Sequence, residues 1–172
     1  AIGDVPDHVE RTFGALGGMI HDIYSMRLML GMPKTVISTE VWNDNRARST
    51  VLEYPNGSRC IATRVDLPYL WDFKQTLEVY GDSKRVILSV PTGFARGILS
   101  RVSVQGIGPD GSAFRTEPSV RWEGPFTGEL RHFHECITRG TSCLTSLKSA
   151  RQDVQLILKI AESYFNHRSV TV

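Results

Sequence analysis

Three tight-turn sequences divide the middle of the chain into paired, β-rich segments, and no other feature constrains the fold as strongly. The clearest is Asn56-Gly57, because Asn-Gly tolerates the positive φ angles that the centre of a two-residue hairpin turn requires. Strands joined by such short turns run antiparallel. The sequence therefore predicts an open, mainly antiparallel β-sheet. The paired segments are residues 48–54 with 58–65, 75–80 with 85–90, and 101–107 with 112–116.

Helical patterns flank this region on both sides. Apolar side chains recur at three- and four-residue steps, and Gly31 and Gly140 stand where C-cap glycines are expected. The order helix, strands, helices predicts an α+β fold with the helices packed on one face of the sheet. The helices are expected over residues 18–30, 128–139 and 146–165, with Thr145 or Ser146 capping the last and a flexible approach at Gly14, Gly17 and Gly18 before the first.

Several strands carry apolar side chains on both faces. Leu77 and Val79 alternate with Tyr80, and Val86 and Leu88 alternate with Ile87. With helices on one face, the other face would be exposed, and an exposed apolar face would promote aggregation. The sequence therefore predicts that the other face is an oligomer interface, so that the protein is a homo-oligomer.

Composition excludes several classes of partner and site. A net charge of +2 does not favour nucleic acid or an anionic membrane as a partner. The cysteines, Cys60, Cys136 and Cys143, are odd in number and lack a CxxC pair, which indicates reduced thiols in the cytoplasm rather than a disulfide framework. No metal site is predicted, and we expect the cysteines to be buried small hydrophobic residues. The sequence also contains no GxGxxG motif, so no cofactor-binding residues can be assigned in it.

The segment at residues 18–33 carries His21, Asp22, Arg27, Gly31 and Pro33 in a spacing that resembles a known family. The pattern is similar to the helix that opens the C-terminal domain of the glucose–fructose oxidoreductase/inositol dehydrogenase/rhizopine-catabolism (Gfo/Idh/MocA) family. The order and spacing of the other segments are also similar to those of that family. These are residues 2–5, 77–81 with 85–88, 129–140, and 145–153.

The resemblance implies that residues 1–172 are the C-terminal substrate-binding and oligomerisation domain of a two-domain enzyme. An N-terminal Rossmann domain, absent from this sequence, would bind most of the NAD or NADP, and we expect no cofactor on this fragment. The implied function is oxidation of a CH–OH group of a sugar or polyol. The fragment alone is expected to be inactive.

The family pattern also suggests which residues form the site. His21 aligns with the family's catalytic histidine, and an imidazole can take the hydroxyl proton as hydride leaves. Tyr24 lies one turn further on and could line the same pocket. Two family aspartates are missing, because Gly17 and Tyr24 occupy their positions. A non-catalytic sugar-binding or assembly module therefore remains an alternative, in which His21 is an ordinary helix histidine.

A further aromatic and basic segment precedes the predicted strand at residues 75–80. Trp71 could stack on the C–H face of a sugar, and Lys74 could bind its hydroxyl groups. The same residues could instead anchor a loop, which is the commoner role of such a segment. We predict Tyr24, Trp71 and Lys74 as substrate-binding residues and keep the loop interpretation open.

Overall fold

The computed structural model describes residues 7–70, 72–94 and 96–172, without the side chains of residues 8, 9 and 11. These residues form two compact units, one comprising the described residues up to Tyr69 with Leu144–Val172, the other Leu70–Cys143. The first unit contains α1 (Asp7–Gly17), α2 (Ile20–Leu30), β1 (Thr35–Trp42), β2 (Ala47–Glu53), β3 (Arg59–Val65), α4 (Leu147–Asn166) and β8 (Val170–Thr171). The second contains β4 (Gln75–Tyr80), β5 (Lys84–Val90), β6 (Arg101–Ile107), β7 (Ala113–Thr116) and α3 (Pro125–Arg139).

The first unit is a four-stranded antiparallel sheet, in the order β3-β2-β1-β8, with helices on one face. Leu52 of β2 and Val36 of β1 point into that face and are fully buried. They pack against Leu16, Ile23 and Leu156 from the three helices of this unit. The opposite face is open, and Ile61 of β3 is largely exposed there. The expected α+β class, with helices covering one face of an antiparallel sheet, is confirmed.

The local turn and cap predictions are confirmed. The Asn56-Gly57 turn joins β2 and β3, and Gly57 has a φ angle of 84°. The other two predicted hairpins are β4–β5 and β6–β7. Gly140 ends α3 in the left-handed conformation, and Ser146 rather than Thr145 caps α4 by accepting a hydrogen bond from the Ser149 amide.

Three elements differ from the sequence prediction. The glycine-rich approach is wrong, because Gly14 and Gly17 lie within α1. Packing of Leu16 into the core offsets the low helix propensity of glycine. The β1–β2 turn and the short strand β8 were not predicted, and the turn uses three consecutive residues with positive φ, Asn43, Asp44 and Asn45. The predicted strand start at residues 2–5 lies outside the described residues.

The strands form two sheets rather than one. The second unit has a four-stranded antiparallel sheet in the order β4-β5-β6-β7. None of the residues described in this unit is fully buried. Directly paired residues share a face, so one face of this sheet carries six contiguous aliphatic side chains across β4, β5 and β6, with Gln75 and Lys84 at its ends. We call this the aliphatic face; it consists of Leu77, Val79, Val86, Leu88, Val102 and Val104.

Candidate functional site

The start of α2 presents the candidate catalytic histidine. His21 is the second residue of α2 and is exposed, so its ring is not enclosed by packed side chains. Ser25, one turn further on, donates its hydroxyl to the His21 backbone carbonyl at 3.3 Å. Tyr24 is half-buried on the same helix. The imidazole is therefore accessible to a ligand, with Tyr24 and Ser25 within one helical turn.

Two arginines lie beside the turn that leads into α2. Arg48 of β2 and Arg64 of β3 are directly paired on the face that the helices cover. Arg64 Nη1 donates to the Gly18 carbonyl oxygen at 3.1 Å. A Cβ atom at Gly18 would lie 3.4 Å from both Arg48 Nη2 and Arg64 Nη1. The absence of a side chain at Gly18 thus lets the chain pass close to both guanidinium groups.

The charges in this arginine cluster balance. Arg48 is 2% exposed, and burial, with repulsion from Arg64, lowers the pKa of its guanidinium. The carboxylates of Asp66 and Asp22 act in the opposite direction. Asp66 contacts Arg48 at 3.3 Å and Arg64 at 3.1 Å. Two positive and two negative side chains therefore surround the start of α2, and their arrangement suits positioning of the helix better than capture of an anion.

A second ion pair holds the other end of α2. Arg27 Nε donates to Asp153 Oδ1 of α4 at 2.6 Å, and Arg27 Nη1 donates to Gln152 Oε1 at 2.8 Å. Arg27 Nη2 also donates to the carbonyl oxygen of Ser149 at 3.0 Å and to its hydroxyl. Arg64 binds the Gly18 carbonyl oxygen just before the first turn of α2, and Arg27 anchors the last turn to α4. The helix α2 is therefore fixed near both ends. These contacts fix the position of the helix backbone that carries His21.

The other predicted substrate-binding residues, Lys74 and Trp71, lie in the second unit or outside the described residues. Lys74 is exposed immediately before β4, in the second unit, whereas His21 and Tyr24 belong to the first. Trp71 lies outside the described residues. Gly17, where the family pattern has an aspartate, is the last residue of α1, and a Cβ atom there would meet nothing within 4 Å. Room for a side chain therefore exists at Gly17.

A cluster that the sequence did not predict lies at the end of α3. One ligand atom each from His132, Cys136 and Cys143 lie within 4.8 Å of one another. Cys143 is exposed and Cys136 half-buried, so the expectation that both are buried is wrong. Partial burial and the adjacent Cys143 thiol raise the pKa of the Cys136 thiol. The signal that could have revealed the cluster is the four-residue step between His132 and Cys136 on a predicted helix.

The described residues do not form a Rossmann-type dinucleotide site. Such a site needs parallel strands joined by a helix, with a glycine-rich turn at the first strand end. Both sheets are antiparallel wherever the structure describes them. In the same described residues, no helix is long and apolar enough to cross a membrane.

Comparison with known proteins identifies the fold. No family model and no curated protein matches the chain. Among solved structures, it is similar to an oxidoreductase from Bacillus cereus (TM-score 0.71, 13% identity, 91% of this chain and 51% of that one). It is also similar to aldose–aldose oxidoreductase from Caulobacter crescentus (0.69, 18%, 89% and 45%) and to biliverdin reductase from Synechocystis, solved with biliverdin and NADP+ (0.60, 14%, 85% and 45%).

These matches show that the chain shares its fold with part of each matched protein, and the chain spans about half the length of each matched structure. The fold is that of the C-terminal domain of Gfo/Idh/MocA-type oxidoreductases, which confirms the resemblance noted in the sequence. One of these proteins is named for aldoses and another was solved with a bile pigment. The fold alone therefore does not specify a substrate.

Proposed function

We propose that this chain is the substrate-binding domain of an NAD(P)-dependent oxidoreductase that acts on a CH–OH group of a sugar or polyol. The accessible imidazole of His21 at the start of α2 is the observation that carries this proposal. The nicotinamide, which would accept the hydride, is assigned to a Rossmann domain in a longer polypeptide that includes this chain. A cytoplasmic location is part of the same proposal.

In this proposal His21 is the general base. A neutral imidazole accepts the hydroxyl proton of the substrate, the usual task of a histidine in general base catalysis. The contacts at Gly18 and Arg27 hold α2 in place, so that the helix backbone carrying His21 does not have to be ordered when substrate binds. Tyr24 would form part of the pocket wall. Lys74 and Trp71 remain proposed substrate-binding residues.

The test uses the full-length protein and follows NAD(P) reduction with a panel of aldoses and polyols. We expect His21→Ala to lower kcat by about 10²–10⁴-fold, the usual contribution of a general base. His134→Ala is the matched control, because His134 is an exposed helix histidine on α3 in the other unit. Full activity of His21→Ala would remove the catalytic role assigned to His21.

The non-catalytic alternative is favoured by one observation, the absence of the two family aspartates at Gly17 and Tyr24. The open space at Gly17 allows a direct test, because Gly17→Asp introduces a carboxylate without a steric clash. If the domain is catalytic, we expect Gly17→Asp to raise kcat. Sugar binding by the 172-residue chain, without NAD(P) reduction by the full-length protein in any variant, would favour the binding module.

We further propose that the aliphatic face is the interface of a homo-oligomer. Val79, on the edge strand β4, is 42% exposed, and its neighbours on this face are only half-buried. An aliphatic surface of this kind is stabilised when a second copy removes it from water. A second copy is favoured as occupant because the six aliphatic side chains are contiguous and self-complementary in chemistry, with Gln75 and Lys84 only at the ends of the face.

Light scattering on the 172-residue chain tests this interface. We expect a dimer or larger assembly that Val79→Lys weakens, since the substitution places a charge at the edge of the aliphatic face. Thr76→Lys is the control, because Thr76 is exposed on the same strand but points to the opposite face. A monomeric wild-type chain at high concentration would contradict the proposal.

A further inference from the structure

The cluster at the end of α3 has the geometry of a metal site. His132 and Cys136 are one helical turn apart, so both side chains project from the same side of α3. Gly140 then reverses the chain in the left-handed conformation, which returns Cys143 to that side. Three potential ligands thus converge although they are spread over a helix and the loop that follows it.

The spacing of the atoms matches tetrahedral zinc. Typical Zn–N and Zn–S bond lengths at a tetrahedral angle place a nitrogen and a sulfur ligand about 3.6 Å apart, and two sulfur ligands about 3.8 Å apart. His132 Nε2 and Cys136 Sγ are 3.5 Å apart, and Cys143 Sγ lies within 4.8 Å of both. Zinc could therefore be bound with only small side-chain adjustments.

The surroundings give such an ion a stabilising role. None of the residues described in the second unit is fully buried, so this unit has little hydrophobic core of its own. Small structures with limited cores are commonly stabilised by a metal, whose binding free energy adds to the folding free energy. An ion here would connect the last turns of α3 to the loop carrying Cys143.

We propose that His132, Cys136 and Cys143 bind one Zn²⁺ ion, with solvent as the fourth ligand. Cys143 is exposed, which leaves that side of the ion open to water. Both thiols lose their protons to solvent on binding, and no oxidant or reductant takes part. The site is independent of the oxidoreductase function proposed above, because it uses none of the residues assigned to that function.

Cobalt substitution provides a direct test on the 172-residue chain in reducing buffer. Co²⁺ should bind with one-to-one stoichiometry and produce thiolate-to-cobalt charge-transfer absorption, which an equivalent of Zn²⁺ should abolish. Cys143→Ser, Cys136→Ser and His132→Ala should each weaken or abolish binding. The matched controls are Cys60→Ala, a half-buried cysteine of the other unit, and His134→Ala, which lies on the opposite side of α3.

A second measurement separates ligand loss from misfolding. Zn²⁺ should raise the thermal midpoint of the wild-type chain and both controls but not of Cys143→Ser, whose exposed side chain can change without loss of packing. Absence of charge-transfer absorption in the wild type would overturn the proposal. Binding that survives in all three ligand variants would overturn it equally, as would a Cys136–Cys143 disulfide found by mass spectrometry in reducing buffer.

Discussion

Replacement of Arg27 by methionine tests how α2 is held against α4. The Arg27–Asp153 pair is almost fully enclosed, with side chains 12% and 6% exposed. Methionine keeps most of the aliphatic stem but removes every hydrogen bond that the guanidinium makes to α4. The Asp153 carboxylate then remains buried without a cation.

The expected loss is large because a buried charge is left uncompensated. Removing one partner of a buried ion pair typically costs about 3–5 kcal/mol of unfolding free energy. For a chain of this size, that corresponds to a fall of roughly 6–20 °C in thermal midpoint. The double variant Arg27→Met/Asp153→Leu should recover most of the loss, since a well-packed apolar pair often replaces a buried ion pair at little cost.

Urea unfolding followed by far-UV circular dichroism measures the unfolding free energy of each variant, and thermal melts followed in the same way give the midpoints. The cycle of wild type, two single variants and the double variant isolates the coupling between the two side chains. Arg168→Met is the control, because Arg168 pairs at 3.8 Å with Glu162 and is largely exposed. The unfolding free energy of Arg168→Met should fall by less than about 1 kcal/mol. An Arg27→Met variant as stable as the control would refute the role given to the ion pair.

Three further predictions concern stability. Burial first, and the neighbouring cysteine second, raise the pKa of Tyr54 to about 12. The folded chain therefore holds this proton more tightly than the unfolded chain, and urea titrations should show stability falling by up to about 3 kcal/mol between pH 10 and 12, an effect absent in Tyr54→Phe. Gly106→Ala should destabilise the second unit by about 1–3 kcal/mol, because its Cβ would lie 2.9 Å from the Ser83 carbonyl oxygen, whereas Gly14→Ala in α1 has open space and should stabilise by up to about 1 kcal/mol in thermal melts. Ser146→Ala should cost about 1 kcal/mol by the same measurement, since it removes the N-cap of α4.

Features governed by a few neighbouring residues could be predicted from the sequence. Asn56-Gly57 specifies its hairpin because the conformation depends on those two residues, and Gly140 and Ser146 end and begin helices for equally local reasons. The candidate catalytic residue was also found from local sequence, because the family pattern surrounds His21 within one helix. Its exposure was not predictable, since that depends on what packs around α2.

Elements that depend on distant contacts were missed. The sequence of α1 contains glycines that disfavour a helix, and the helix forms because Leu16 reaches a core built from α2, α4 and the sheet. The short strand β8 pairs with β1 across most of the length of the chain. No local pattern distinguishes such segments from loops, because their stability comes from partners far away in sequence.

The sequence by itself determined the order of helices and strands, the antiparallel hairpins and the helix that carries His21. Only the tertiary structure decided that the strands divide into two sheets, that Arg27 pairs with Asp153 126 residues away, and that a histidine and two cysteines converge beyond α3. The physical reason is the separation in sequence between the residues that interact. Backbone torsions and caps are set by adjacent residues, whereas ion pairs, buried contacts and ligand clusters depend on which surfaces meet after the chain has folded.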